Sequence, residues 1–365
     1  MKIALIYLGR KGGGPVYSYE IAKQLDKKSD LFVIFSSEVE NIQLWKNLFC
    51  KKYIVKTYYN FFSFIFSSFN VVKLFGIIKA IKNFSPDIIY CPFFHPWLPF
   101  FYFIFPNIPK VFTLHDPILH SGENNYLIYF IQKYLVKKSS STIILSNIFK
   151  NELNKVGISN EKIEVIPHGI FDYYIQNKQK ETKIKSDVIT LLFFGRIVDY
   201  KGLDVLINAY KKIKSQISNV ELLIVGNGEA EKYKKLAVGL QDVIFVNEWI
   251  PENKVSSYFL QADILICPYK DATQSGSIPI AYAFSLPVIA TKTGGLSEQV
   301  DNNVTGILIE PNNVDQLVEA CIKLIVNKEL RKNYGEAGYN KAKIEWNWDK
   351  ISDKLLVVFN KILKI

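Results

Sequence analysis

Cysteine is scarce in this chain: four residues among 365, Cys50, Cys91, Cys267 and Cys321, with no C-x-x-C pair and no short spacing. That argues against a disulfide framework and for a reducing compartment, where a free cysteine serves as a small buried hydrophobe. Also missing is a clean apolar run of the roughly 20 residues that a membrane-spanning helix needs. The two most apolar stretches fall short: residues 58–66 are too few, and residues 93–105 are broken by His95, Pro96 and Pro99. Met1 opens directly on the strand-like KIALIYL, with no basic leader and no cleavage signal, so a cytoplasmic chain is expected. There is no repeat of solenoid length, no low-complexity tract and no Asp-x-Asp pair. Zinc knuckles and RNP-type strands are absent too, so nucleic acid is not an expected partner.

Acidic residues are scarce in one half. Residues 1–172 hold 20 basic and 12 acidic side chains, against 25 and 22 in residues 173–365, so +8 of the net +11 sits in the first half. Such an excess points to an anionic partner. Lys51, Lys52, Lys56, Lys73, Lys79 and Lys82 accompany the aromatics of 58–66 and 93–105. Exposed, those rings and lysines suit an anionic membrane surface, with the chain peripheral on the inner face of the plasma membrane. Buried, the same rings are core, and the sequence leaves both readings open.

What is present is ample apolar material, 49% of residues, enough for the two domains that this length usually makes. Short apolar runs alternate with segments of helical spacing from KIALIYL to Ile163–Pro167, and again from VITLLFFG onward. Apolar strands in that rhythm suit parallel sheets covered on both faces. The expected class is α/β: two Rossmann-like doubly wound domains facing each other across a cleft. The polar stretch DYYIQNKQKETKIKSD reads as the linker. Expected boundaries are 1–172, 173–345 and a terminal helix over 346–365.

The motif LLFFGRIVDYKG, Leu191 to Gly202, is the most informative segment. A strand ends in Gly195-Arg196, a loop follows, and Lys201-Gly202 precede a helical segment. Ligands of open α/β sheets bind outside the carboxyl ends of strands, and two cations beside a helix N-terminus suit a diphosphate. Downstream come Gly226-Asn-Gly228 after a strand, the turn Ser275-Gly276-Ser277, Pro287-Val-Ile-Ala290 and Gly294-Gly-Leu-Ser-Glu298. In the first half, Gly12-Gly13-Gly14 follows the opening strand, and His115-Asp116 and His168-Gly169 end later ones. A triple glycine lets backbone N–H groups approach a phosphate, or simply makes a tight turn.

This order and spacing resemble the retaining nucleotide-sugar glycosyltransferases of family 4 (group 1), of GT-B fold, closely over residues 188–345 and more loosely over 1–170. The resemblance implies transfer of a sugar from a nucleoside diphosphate sugar to a hydroxyl with retention of configuration, needing no cofactor beyond the donor. It implies catalytic roles for His115, Arg196 and Lys201. Gly13, Gly14, Gly226, Gly228, Gln274, Ser275, Gly276, Ser277 and Glu298 would then bind the donor with Arg196 and Lys201. Asp116, His120 and Glu123 would face the acceptor, a glycan or a lipid-linked precursor of cell-surface polysaccharide or glycolipid. The terminal helix would cross back to the first domain. His115, Asp116, His120 and Glu123 match no zinc spacing, and Pro117 breaks any helical face between them, so no metal is expected.

One departure is plain. The family carries two glutamates eight positions apart before the Pro-Val turn, and here Ala272 and Ile280 occupy those places. Asp271 is a candidate to replace the first. A catalytically silent subunit that binds nucleotide or a partner therefore stands as the alternative, with a sugar-nucleotide epimerase behind it.

Overall fold

A computed structural model of the chain describes residues 1–68, 71–119, 126–176 and 187–365. Seven strands form the first sheet: β1 (Lys2–Tyr7), β2 (Asp30–Ser36), β3 (Lys51–Val55), β4 (Ile88–Cys91), β5 (Lys110–Leu114), β6 (Ser141–Ile144) and β7 (Ile163–Val165). Six form the second: β8 (Ile189–Phe194), β9 (Val220–Val225), β10 (Val243–Val246), β11 (Ile264–Cys267), β12 (Val288–Thr291) and β13 (Gly306–Ile309). Their orders are β3-β2-β1-β4-β5-β6-β7 and β10-β9-β8-β11-β12-β13. The paired strands run parallel, Ile3 opposite Leu31 and Ile88, and Leu191 opposite Leu222 and Ile264. Parallel strands need crossovers, and the helices between them cover both faces. β1, β4, β8 and β11 are therefore almost wholly buried, as their unbroken apolar runs demand.

Strand order reverses between β1 and β4 in one sheet and between β8 and β11 in the other. Such a switch point opens a crevice at the strands' carboxyl ends. The first crevice lies by the loops after Tyr7 and Cys91, the second by those after Phe194 and Cys267.

The chain folds into two compact units. One holds Met1–Leu119, Asn124–Pro167 and Trp348–Ile365, the other His168–Asn347. The expected limits, residues 172 and 345, differ from these by a few residues. The last helix, Trp348–Leu363, lies in the first unit against helix Gly13–Lys28. There Lys28 Nζ reaches Asp349 Oδ1 at 2.7 Å and Asp353 Oδ1 at 2.6 Å, and Trp348 meets the Tyr17 ring at 5.4 Å. Of the expected linker, Tyr173–Gln176 forms a single helical turn, and residues 177–186 lie outside the described residues.

The two aromatic stretches part company. In 93–105 the rings are core: Trp97, Phe101, Tyr102 and Phe105 are buried, and Phe103 alone of the helix Leu98–Ile104 is a large exposed one. The interfacial reading of that stretch is corrected accordingly. The helix Phe61–Ser68 instead exposes Phe62 and Phe66, at 72% and 77%. Helix Val71–Phe84 continues with exposed Val72 and Phe75, then exposed Lys79 and Lys82, at helical spacing along one face. Among the described residues no helix is long and apolar enough to cross a membrane.

Candidate active site

In the second unit the site grows from the end of β8. Gly195 N–H donates to Val225 O at 3.0 Å, Ile197 N–H to Asn227 O at 2.8 Å, and Gly226 N–H to Val246 O at 3.0 Å, so the exits of β8, β9 and β10 are laced together. A side chain at Gly226 would place its Cβ 1.8 Å from Gly195 O, and one at Gly228 would sit 2.1 Å from Ile197 O. The Gly-Asn-Gly motif is thus required by the approach of two chain segments, whatever else binds there.

Arg196 is exposed at this exit, and its guanidinium donates to the Tyr200 hydroxyl at 2.9 Å. A single 3₁₀ turn, Asp199–Lys201, leads into Gly202, whose φ of +67° and close contact with Pro268 O exclude a side chain. That contact presses the β8 loop on the β11 loop. It carries the Lys201 ammonium to 3.7 Å from the centroid of the Tyr269 ring, with the Tyr200 ring at 5.3 Å. An aromatic face beneath an ammonium holds it by cation–π attraction, worth about 0.5–2 kcal/mol. Helix Leu203–Lys214 begins here, and no side chain caps the first N–H groups, which have no partner within a helix. Asp199 bonds Lys232 at 2.9 Å and Lys270 at 3.2 Å, and Lys270 also holds Asp204 at 3.0 Å. Those lysines, first by hydrogen bonding, keep the Asp199 carboxyl below its usual range.

The loop after β11 departs from expectation at Ser275. Its N–H donates to Gln299 Oε1 at 2.9 Å, and Gln299 Nε2 donates back to Ser275 O at 3.0 Å. Its buried hydroxyl joins Tyr269 OH at 2.9 Å and Ser277 Oγ at 2.7 Å. Ser275 and the Ser277 hydroxyl therefore set the loop's shape. Gly276 is exposed, and Gln274 and Asp271 are half-buried. Ala272 and Ile280 are buried apolar residues. Glu298 is exposed on the turn Leu296–Gln299, where Lys341 Nζ donates to its carbonyl at 3.2 Å. Tyr200, Tyr269 and Gln299 are the residues that sequence reasoning missed. Tyr269 had one usable signal, its place just past a strand end; Gln299 had none.

In the first unit, Gly13 opens helix Gly13–Lys28 with nothing within 4 Å of where a Cβ would be, whereas a Cβ on Gly14 would lie 2.9 Å from Tyr7 Oη. Gly12 N–H donates to Glu40 Oε2 at 3.3 Å. His115 leaves β5 with its ring against Tyr17 and Phe93, centroids 4.7 and 4.1 Å away. Burial lowers its pKa to about 4, so the imidazole is neutral near pH 7. Nε2 lies 3.0 Å from Pro92 O, which only accepts; Nε2 therefore carries the proton and Nδ1 is an acceptor. Asp116 follows, exposed. His120 and Glu123 lie outside the described residues.

Two parallel sheets of this kind, each with its loops at a switch point, define a class, and solved structures share it. Anabaena HepE in complex with UDP and glucose matches with a TM-score of 0.77 at 18% identity, covering 99% of this chain and 100% of that one. The fold is GT-B. The family model described as "Glycosyl transferases group 1" matches residues 175–341, and that of "Glycosyltransferase Family 4" matches residues 11–171. The chain belongs to the group 1, family 4 glycosyltransferases. An uncharacterized glycosyltransferase of Methanocaldococcus jannaschii is 30% identical over 256 residues, which are 67% of this chain and 65% of that protein. A GDP-mannose-dependent alpha-(1-6)-phosphatidylinositol monomannoside mannosyltransferase of Mycobacterium tuberculosis is 28% identical over 176 residues, 46% of each. The chain thus spans just under two thirds of the first relative and about half of the second.

Proposed function

We propose that this protein transfers a glycosyl group from a nucleoside diphosphate sugar to a hydroxyl of a lipid-linked or polysaccharide acceptor, with retention of configuration and without a metal. The observation that carries the reading is Lys201, held on Tyr269 at the β8–β11 switch point, with Arg196 beside it and an uncapped helix N-terminus behind. As the C1–oxygen bond to the diphosphate breaks, negative charge grows on that leaving group and positive charge on the sugar ring. Fixed cations and N–H groups at the phosphate stabilise this charge separation. The acceptor hydroxyl forms the new C1–oxygen bond from the same face, and its proton passes to the departing phosphate oxygen. Neutral His115 serves as acceptor, through Nδ1, for a hydroxyl of the donor sugar. The GDP-mannose of the mycobacterial relative's name and the UDP held by HepE support a nucleoside diphosphate donor and differ in the base.

The basic first half and the exposed Phe62, Phe66 and Phe75 support the reading of a chain docked on an anionic bilayer, peripheral on the inner face of the plasma membrane. The non-catalytic alternative draws on Ala272 and Ile280, where buried apolar side chains stand in place of carboxylates. Donor hydrolysis without acceptor separates the two readings. Wild-type protein should release nucleoside diphosphate in excess EDTA. Arg196→Ala and Lys201→Ala should each lose at least ~100-fold in kcat/KM, about 3 kcal/mol, with the fold retained. A strict metal requirement would overturn the two-cation site, and no turnover with any nucleotide sugar would favour the silent subunit.

A further inference from the structure

Beside Asp116, still within the first unit, lies a cleft of ≈ 80 Å³ that shares only Asp116 with the site residues named above. It runs between helix Tyr126–Lys138 and helix Lys150–Lys155, next to the segment Asp116–Ile118 that follows β5. Its floor is apolar, from Leu114, Ile118, Val136, Leu153 and Val156. The volume exceeds the ~10–15 Å³ that one water occupies several-fold, and an apolar lining gives water few partners. Such a space suits a hydrocarbon segment.

The rim is charged. Lys133 and Lys137 both line the cleft from one helix. Four residues apart, they are neighbours on a single face, where like charges oppose each other. Tyr126–Lys138 contains no acidic residue to offset them. Lys133 Nζ is held 4.3 Å from the Tyr129 ring centroid, at the cleft. The third lysine, Lys155, bonds Glu152 at 2.7 Å and so carries its own counter-charge. Outside the cleft the same helix exposes Leu127 and Phe130, at 74% and 64%, so apolar surface continues past the rim. Exposed Asp116, one residue from His115, also lines the cleft.

We infer that this cleft binds a phosphate-bearing lipid. Its hydrocarbon chain lies on the floor, Lys133 and Lys137 meet the phosphate, and Asp116 is placed to accept a hydrogen bond from a hydroxyl beyond it. This rests on the transferase reading for its purpose, since it makes that lipid the acceptor, but its geometry is independent of Arg196 and Lys201. Isoprenoid and acyl lipids share this chemistry, a phosphate carrying a long hydrocarbon chain.

The test is equilibrium binding to the full chain of farnesyl phosphate and of lysophosphatidic acid, with farnesol and inorganic phosphate as controls. One or both phospholipid-like probes should bind at least tenfold more tightly than either control, and whichever binds names the chain. Lys133→Ala with Lys137→Ala should erase the advantage over farnesol. Gln132→Trp, placed on the half-buried rim rather than in the core, should fill the cleft and weaken both the phosphate probe and farnesol tenfold. Melting temperature and donor hydrolysis without acceptor should be unchanged in both variants, which separates this idea from the transferase reading. If wild-type protein hydrolyses donor and the probes bind no better than the controls, or bind the variants equally well, the cleft assignment is wrong. If the probes bind with the expected lysine dependence and no donor is turned over, the cleft stands and the transferase reading falls.

Discussion

Gly13 and Gly202 look alike in the sequence, each a glycine at the start of a helix, yet their surroundings make opposite demands. Gly202 is fixed by φ of +67° and by Pro268 O, 1.9 Å from where a Cβ would be. Gly202→Ala should therefore destabilise the protein by at least ~2 kcal/mol in urea unfolding. Gly13 has open space at that point and an ordinary helical backbone. Gly13→Ala should leave stability unchanged or raise it by up to ~1 kcal/mol, because alanine is the better helix former. If the triple glycine is a ligand-facing loop, the same variant should lower kcat/KM for the donor about tenfold; unaltered turnover would reduce it to a tight turn. The cysteines show the same dependence on surroundings. Burial pushes the Cys91 thiol up to about 12 and raises those of Cys267 and Cys321 too, so they are inert small hydrophobes rather than nucleophiles.

Among elements, helices Phe61–Ser68 and Leu98–Ile104 are the instructive pair. Both are rich in aromatic residues, so composition suggests the same role for each. The second buries Leu98, Phe101 and Tyr102 in the first unit's core, while the first turns Phe62 and Phe66 outward. Flotation with anionic vesicles should accordingly depend on Phe62→Ser and Phe66→Ser, which remove the binding that survives high salt. Lys79→Ala with Lys82→Ala should remove the salt-sensitive part, about 1 kcal/mol per lysine. Phe103→Ser should do little. Equal flotation by all of these variants would detach these helices from the membrane.

At the scale of the whole molecule, buried His95 and half-buried His115 make stability depend on pH. Burial lowers His115 to about 4 and, with Arg10 adding repulsion, His95 to about 3, from an ordinary 6.5. Below pH 6.5 the unfolded chain binds protons that the native state refuses, so stability falls as pH drops from 7 and the loss is complete only below about pH 3. Between pH 7 and 5 each histidine should remove on the order of 2 kcal/mol. Urea midpoints should move less over that window in His95→Gln and His115→Gln than in the wild type. Parallel slopes in all three would contradict the neutral state of both rings.

The alternation of apolar runs with helical spacing determined the α/β class and the doubly wound sheets, because parallel strands buried on both faces leave that trace in any sequence. Arg196 and His115 were likewise legible as residues after strand ends, and Lys201 as one before a helix. β3 was not: its Lys51–Val55 sits at a sheet edge, partly exposed, without the unbroken apolar run of a central strand. Nor were Tyr269 and Gln299. What decides their roles is the adjacency of β8 and β11 and the fold of one loop around Ser275, and those contacts join positions 24 and more than 60 residues apart. A sequence records which side chains prefer burial and which turn residues a backbone tolerates. Which ring lies under an ammonium, and whether an apolar helix faces core or water, is settled only when distant segments pack.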